Sequence, residues 1–429
     1  MLYKKLNCSF ESIIKNNFIF YFIVYLFFII INYIFYILFI EKYPHYVDVN
    51  SNLILLSLDH SFGDLMNNII LEGKFSQRMF NFDIDFYLVK MPLGPYFLSF
   101  IYFFITKNFF LLILIKNLFF FSFLLLVTKI FLKNNFLILI LLLLFAYNPF
   151  NLYNFLRAIP EEGFLNYLIV IMFIVFYSNN KKRSYFLSLS LILLFFTKGS
   201  SCFFIYPLVI YCFFFEKMKL PLISIIVCFL IWFSYAYIKI NKFISPISLS
   251  SVGGMTISTA NNSEFNKIYP LQSPDILYPK VLEDNYYLTK NLKNEIDIDK
   301  IFKSYTQNYI LNNKSDFFES VLKKTNLIFF NYKKDAQSLN SPDYNQIRYS
   351  SFFNIIVLYL AIIIILFKFF KNKLGKEDFF YIIFCSTYLF PFIIGILVTR
   401  HLVPIYLASH IYIYFELLKK PSIFTICSK

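Results

Sequence analysis

The chain has 429 residues, of which 59% are hydrophobic and only 15% charged, and its formal net charge is +15. Soluble domains carry about a quarter of their residues as charges, so this composition does not make an ordinary water-facing surface, and the mean hydropathy of +0.62 points the same way. The positive balance could indicate nucleic acid, but the lysines stand at the ends of apolar blocks and form no single basic face, which is the pattern of membrane topology signals.

Apolar blocks such as 18–40, 109–131 and 220–240 match the roughly 20 helical residues that cross a bilayer core. The first is too long for a signal-peptide core and lacks a small-residue cleavage site, so it reads as a retained helix. Short basic loops at Lys4–Lys15, Lys133, Lys181–Arg183, Lys217–Lys219 and Lys371–Lys376 are assigned to the cytoplasm. Spans at 18–40, 109–131, 136–148, 163–178, 185–197, 202–215, 220–240, 351–370, 379–398 and 402–417 then satisfy every signal. This gives about ten crossings with both termini cytoplasmic, in a bacterial cytoplasmic membrane. Residues Pro92–Ile105 break the alternation and read as re-entrant or interfacial.

The fold expected is therefore all-α and polytopic, with interfacial helices in the first outer loop and a large mixed or helical outer loop. Three regions follow: 1–240 as a transmembrane module carrying catalytic outer loops, 241–350 as an extracytoplasmic region, and 351–429 as C-terminal transmembrane helices. Within 283–330 the periodicity is helical, and Phe317, Phe318, Val321, Leu322 and Leu327 make an apolar stripe suited to the membrane surface. The six cysteines, Cys8, Cys202, Cys212, Cys228, Cys385 and Cys427, avoid the large polar loop, and no disulfide or zinc framework is expected.

Candidate chemistry collects in the outer segments 41–91, 148–163, 197–201, 241–350 and 399–404. Asp59 and His60 follow the first helix, and the next outer loop carries Arg157, Glu161 and Glu162. The two glutamates after Pro160 also suit plain helix capping. Lys198, and Arg400 with His401, sit at helix ends on the side where cations are disfavoured, so they call for an anionic partner. A lipid phosphate would serve, as would snorkelling or pairing with Glu161, Glu162 or Asp59. Phe, Tyr, Ile, Lys and Asn dominate as an AT-rich genome would dictate, which leaves only five arginines. An arginine retained under that bias points to bidentate recognition of phosphate or carboxylate, and Arg157 and Arg400 are singled out on that ground.

Carboxylates and cations converging on an outer membrane face suit transfer of a sugar from a lipid phosphate. A carboxylate such as Asp59 would accept the acceptor's proton, while Lys198 and Arg400 stabilise the departing phosphate. The order of features resembles the GT-C superfamily of polyprenyl-phosphate-dependent glycosyltransferases, in the branch of protein O-mannosyltransferases and aminoarabinose transferases. The likeness covers most of the chain. The family's acid after the first helix, followed at the same interval by Leu-x-Gly, is similar to Asp59 with Leu71-Glu72-Gly73. Its Arg-Pro-Pro-x-x-Pro stretch resembles Lys90-Met91-Pro92-Leu93-Gly94-Pro95, with Lys for Arg and Met for one Pro. Its second acid resembles Glu162 in Glu162-Gly163-Phe164-Leu165, its Thr-Arg-Pro turn Thr197-Lys198-Gly199, and its late Arg-Tyr Arg400-His401. A Gly- and Asn-rich stretch is similar to Ser251–Asn262.

The resemblance implies an inverting transfer, with Asp59 as base or acceptor-orienting residue and Lys198 and Arg400 on the donor phosphate. Glu162 would be the second acid, His401 and Lys90 would join the phosphate contacts, and Arg157, Glu161, Asn261 and Asn262 would be weaker substrate contacts. Asn261 and Asn262 also read as a simple turn. The implied partners are a polyprenyl-phosphate sugar donor, membrane lipids, and a glycan, lipid or protein acceptor. Some members of the superfamily use a divalent cation and others none. Asp59, His60 and Glu162 could ligate one, but no single loop has tight ligand spacing, so no metal is assigned. Asp83 and Asp85 read as a solvated pair. The competing readings are a lipid-linked glycan flippase or transporter, which would need ionisable residues deep in several spans where only Lys116 lies, and an O-antigen polymerase or ligase, whose outer loop usually supplies arginines.

Overall fold

The computed structural model describes residues 17–42, 60–76, 85–88, 90–132, 135–144, 160–178, 180–244, 253–269, 277–289, 291–292, 294–330, 343–395, 397 and 399–418. Among them the regular elements are helices, with no strand. In chain order they are α1 (Asn17–Lys42), α2 (His60–Glu72), α3 (Leu93–Phe104), α4 (Phe109–Leu132), α5 (Asn135–Leu144), α6 (Pro160–Tyr177), α7 (Arg183–Thr197), α8 (Cys202–Phe214) and α9 (Lys219–Ile240). There follow α10 (Gly253–Thr259), α11 (Phe265–Ile268), α12 (Tyr278–Thr289), α13 (Glu295–Asn312), α14 (Lys314–Phe330), α15 (Asp343–Phe370), α16 (Lys376–Ile394) and α17 (Val403–Leu418).

Four helices, α4, α9, α15 and α16, are long and apolar enough to cross a membrane, and six shorter apolar helices accompany them. The exterior matches that solvent. Helix α9 leaves Ile223, Ile226, Leu230 and Ile238 exposed, and α15 does the same with Phe352, Ile356, Ile363 and Phe367. Apolar faces of this extent are stable against lipid tails and costly against water.

Helix α6 lies at the centre. It is apolar all round, and a helix without a polar face must be enclosed by others; every hydrophobic side chain from Phe164 to Phe176 is no more than 1% exposed. Helices α4, α7 and α17 pack directly on it. Helix α16 joins through aromatic contacts, with Phe176 stacked on Phe380 at 3.7 Å and Phe173 edge to face with Phe384 at 5.1 Å. The remaining described cysteines, Cys202, Cys212, Cys228 and Cys385, are free thiols within this bundle.

The two ends of the bundle differ in charge. At one end Arg183 pairs with Glu216, Lys376 lies 3.7 Å from the same carboxylate, and Lys368 bridges Asp378 at 2.8 Å and Glu416 at 2.7 Å. The Tyr412 hydroxyl donates to Asp378 at 2.5 Å. Asn180 donates to the Ile130 carbonyl at 3.4 Å, which brings the end of α4 to this level. Three of the basic loops assigned from sequence to one compartment, 181–183, 217–219 and 371–376, therefore lie together.

The opposite end carries α10–α14. Helices α10, α12 and α13 share a core of Met255, Val281, Ile298 and Phe302, into which Phe86 from the segment before α3 inserts, and Phe265 and Tyr269 make a second core against Leu327 of α14. Asn294 caps α13 by accepting from the Ile296 amide at 2.8 Å. The next residue, Glu295, is 2% exposed and accepts from the Tyr87 amide at 3.2 Å and the Leu88 amide at 3.3 Å. One buried carboxylate thus ties the first connecting loop to the large polar segment. The Tyr235 hydroxyl of α9 adds donations toward the Phe75 and Tyr87 carbonyls, both at 3.4 Å.

Helix α10 crosses α13 at Gly254, whose amide donates to Asp299 Oδ1 at 2.6 Å, while Lys303 holds Oδ2 at 2.5 Å. A Cβ at Gly254 would stand 2.5 Å from the Asp299 carbonyl oxygen, which is backbone and cannot step aside. Gly254→Ala should therefore destabilise α10–α14 by about 1–3 kcal/mol, seen as earlier melting of that region. Gly73 has φ +65 but open space around it, so Gly73→Ala should cost only about 1–2 kcal/mol of local backbone strain. Glu295→Ala leaves two amides without their acceptor, at about 1–3 kcal/mol. It should speed proteolytic cutting within 73–91 while the bundle stays resistant, and an unchanged cutting rate would refute the tether.

Candidate functional site

Helix α6 opens with Pro160, whose missing amide hydrogen costs nothing at a first helical position, followed by Glu161 and Glu162 where the helix dipole favours negative charge. It ends at Tyr177, and the short connection 178–182 turns the chain back into α7. Thr197 therefore returns to the end of the bundle where α6 begins. At Lys198 the backbone is extended, with φ −149 and ψ 127, which stops α7, and Gly199–Ser201 forms a 3-10 turn into α8.

Helix α17 runs parallel to α6, with Tyr177 edge to face against Phe415 at 5.3 Å. Equal steps back along both helices bring Val403 level with Leu165. The 3-10 turn Thr399–Leu402, holding Arg400 and His401, thus lies beside the first turns of α6. Helix α16 arrives at the same level and stops at Ile394. Its Phe392 is the hub: the His401 ring stacks on it at 4.3 Å, and Lys198 Nζ lies 5.8 Å from its ring centroid. His401 is buried and Lys198 is half-buried.

The large polar segment closes on this end. Asn261 donates from Nδ2 to the Ile394 carbonyl at 3.0 Å, and the Tyr269 hydroxyl donates to the Leu397 carbonyl at 2.9 Å. Asn262 has a different part: its Nδ2 donates to the Ser258 and Thr259 carbonyls, and its Oδ1 accepts from the Glu264 and Phe265 amides at 3.0 and 3.1 Å. All of its amide groups are spent on the turn between α10 and α11.

Lys90 is half-buried just before α3. Helix α3 packs against α6 and α7, with Phe97 edge to face on Phe164 at 5.6 Å, so the Lys90–Pro95 stretch reaches the same end. Of the residues singled out from sequence, Lys198, Asn261 and His401 thus gather around the end of α16 from three separate parts of the chain. Asp59, Arg157 and Asp83 lie outside the described residues, as do the side chains of His60, Glu161, Glu162 and Arg400; Asp85 is half-buried beside Phe86. Among the described residues no group of three metal-ligating side chains occurs.

One residue in this region went unnoticed in the sequence. Helix α14 buries the line Ser320, Lys324 and Ile328, while of its apolar stripe Phe317, Val321 and Leu327 are half-buried and Phe318 and Leu322 face out at 63% and 47% exposure. Lys324 is fully buried, 3.4 Å from the Ile394 carbonyl oxygen and 4.8 Å from the Phe265 ring centroid. Among the described residues no carboxylate pairs with it. Burying an ammonium costs several kcal/mol. A desolvated aromatic face returns about 2 and a helix-terminal carbonyl about 0.3–1. The remaining imbalance is why burial pushes the Lys324 amine down from 10.5 to about 7. The only sequence signal was its spacing with Ser320 and Ile328, and hydropathy assigns a Lys-Lys pair to solvent.

No family model matches the chain, and neither the curated proteins nor the solved structures contain a match to it.

Proposed function

We propose that the protein is a membrane glycosyltransferase that moves a sugar from a polyprenyl-phosphate donor to an acceptor on the extracytoplasmic face. The observation that carries this reading is the meeting of Lys198, the Arg400-His401 turn and the Asn261 segment around the end of α16, with the basic loops at the other end of the bundle. Positive loops retained on the cytoplasmic side would make the Lys198 end extracytoplasmic. About ten crossings with both termini inside fit this arrangement. At 12 residues α3 is too short to span alone.

In the reaction the acceptor oxygen attacks the anomeric carbon as the bond from that carbon to the phosphate oxygen breaks. The electron pair leaves with the phosphate, held by Lys198 and Arg400, and the acceptor proton passes to Asp59. Inversion follows from a single displacement. Glu162, at the start of α6, is the second acid of the site, and a divalent cation could join Asp59, His60 and Glu162. The GT-C likeness in the order of these motifs supports the same assignment. A flippase would place ionisable groups along a path through the spans, and among the described residues Lys116 is the cation buried well inside one.

Asp59→Asn should abolish transfer in membranes supplied with polyprenyl-phosphate sugar, with protein levels unchanged. Retained transfer removes Asp59 from the mechanism. Lys198→Ala and Arg400→Ala should each lower kcat/KM about 10- to 100-fold through weaker donor use, and an equal loss toward donor and acceptor contradicts the roles given. Cysteine labelling at Ser251 should succeed with an impermeant reagent before the inner membrane is opened, and labelling only afterwards reverses the orientation.

A further inference from the structure

Two polar groups meet at the end of α16, and a third lies one turn along α14 from them, with hydrogen-bonding capacity left over. Asn261 Oδ1 and Ser320 Oγ are buried and have no partner among the described residues. Lys324 Nζ shares the Ile394 carbonyl with Asn261, at a long 3.4 Å against 3.0 Å. Ser320 lies one turn before Lys324 on the same buried face of α14. The Ile394 carbonyl is one of the last in its helix and has no helical amide to accept from, so it explains why a donor comes near. It does not explain why that donor is a full charge when the neutral Asn261 amide already serves.

We propose that Lys324, Asn261 and Ser320 form an anion-binding position at the end of α16, built for the phosphate group of a bound substrate. A phosphate offers the negative charge that Lys324 lacks, and it accepts from the serine hydroxyl; in its singly protonated form it also donates to Asn261 Oδ1. The proposal is independent of the sugar-transfer reading, because it concerns binding and is read without turnover.

The test uses the full-length protein in nanodiscs of zwitterionic lipid, with thermal unfolding followed for wild type, Lys324→Met and Lys324→Arg. Without ligand, Lys324→Met should melt a few degrees higher than wild type at pH 7, since it removes an uncompensated charge of similar length. Polyprenyl monophosphate in the bilayer should raise the wild-type Tm by several degrees and that of Lys324→Arg by a comparable amount, and should leave Lys324→Met unmoved. Inorganic phosphate at millimolar concentration distinguishes the source: a shift with both probes assigns the position to free phosphate, and a shift with the lipid alone assigns it to a lipid head group. The proposal is overturned if Lys324→Met melts lower than wild type, which would mean that a carboxylate of the chain already pairs with the lysine. It is equally overturned if neither probe shifts the wild type, or if Lys324→Met shifts as wild type does.

Discussion

Helix α6 is apolar on every side, and packed helices rather than lipid enclose it. Its burial orders the remainder of the molecule. Helices α4, α7, α16 and α17 each present an aromatic or branched face to it, and their opposite faces, released from that duty, are left for lipid. Because lipid tails offer no hydrogen bonds, the backbone must satisfy itself within each crossing segment, which is why helices carry the structure. Charged side chains other than Lys116 then collect mostly toward the ends, while polar groups left inside pair with one another, as Asn117 does with Asn32 and His410 with Asn354.

At the basic end charge is neutralised within the protein. Lys368 bridges Asp378 and Glu416, Arg183 is matched by Glu216, and Tyr412 completes the set. At the other end carboxylates also hold cations, as Asp299 holds Lys303 and Asp297 holds Lys242, and two lysines lie near rings, Lys198 by Phe392 and Lys324 by Phe265. Rings stabilise a cation without cancelling its charge. The first end is thus a closed structural network, and at the second Lys324 is a cation buried against a ring and a carbonyl, in a low-dielectric setting where an anion is attracted most strongly.

The large polar segment is anchored at both sides of that second end. Glu295 holds the backbone of Tyr87 and Leu88, and Asn261 and Tyr269 hold the chain between Ile394 and Leu397. The stretches of chain nearest the proposed chemistry are therefore fixed by hydrogen bonds from α10–α14, although those helices supply little of the apolar core. Gly254 makes this possible, because only a residue without Cβ lets α10 and α13 approach so closely.

Helix positions, the basic loops and the place of Lys198 at a helix end were legible in the amino-acid order, because each depends on neighbours a few residues away: a run of apolar side chains, a lysine at its end, a proline before two acids. Contacts across the chain were not. Nothing local marks Glu295 as the acceptor for Tyr87 and Leu88, or Phe392 as the ring shared by Lys198 and His401. Helix α14 gives the sharpest case. Its apolar stripe pointed to the membrane surface and gave no sign of the face that meets Phe265 and Ile394, which carries Lys324 inward. Local sequence determines whether a segment can be a helix; which of its faces is buried depends on the surface it meets, and that surface comes from residues far away in the chain.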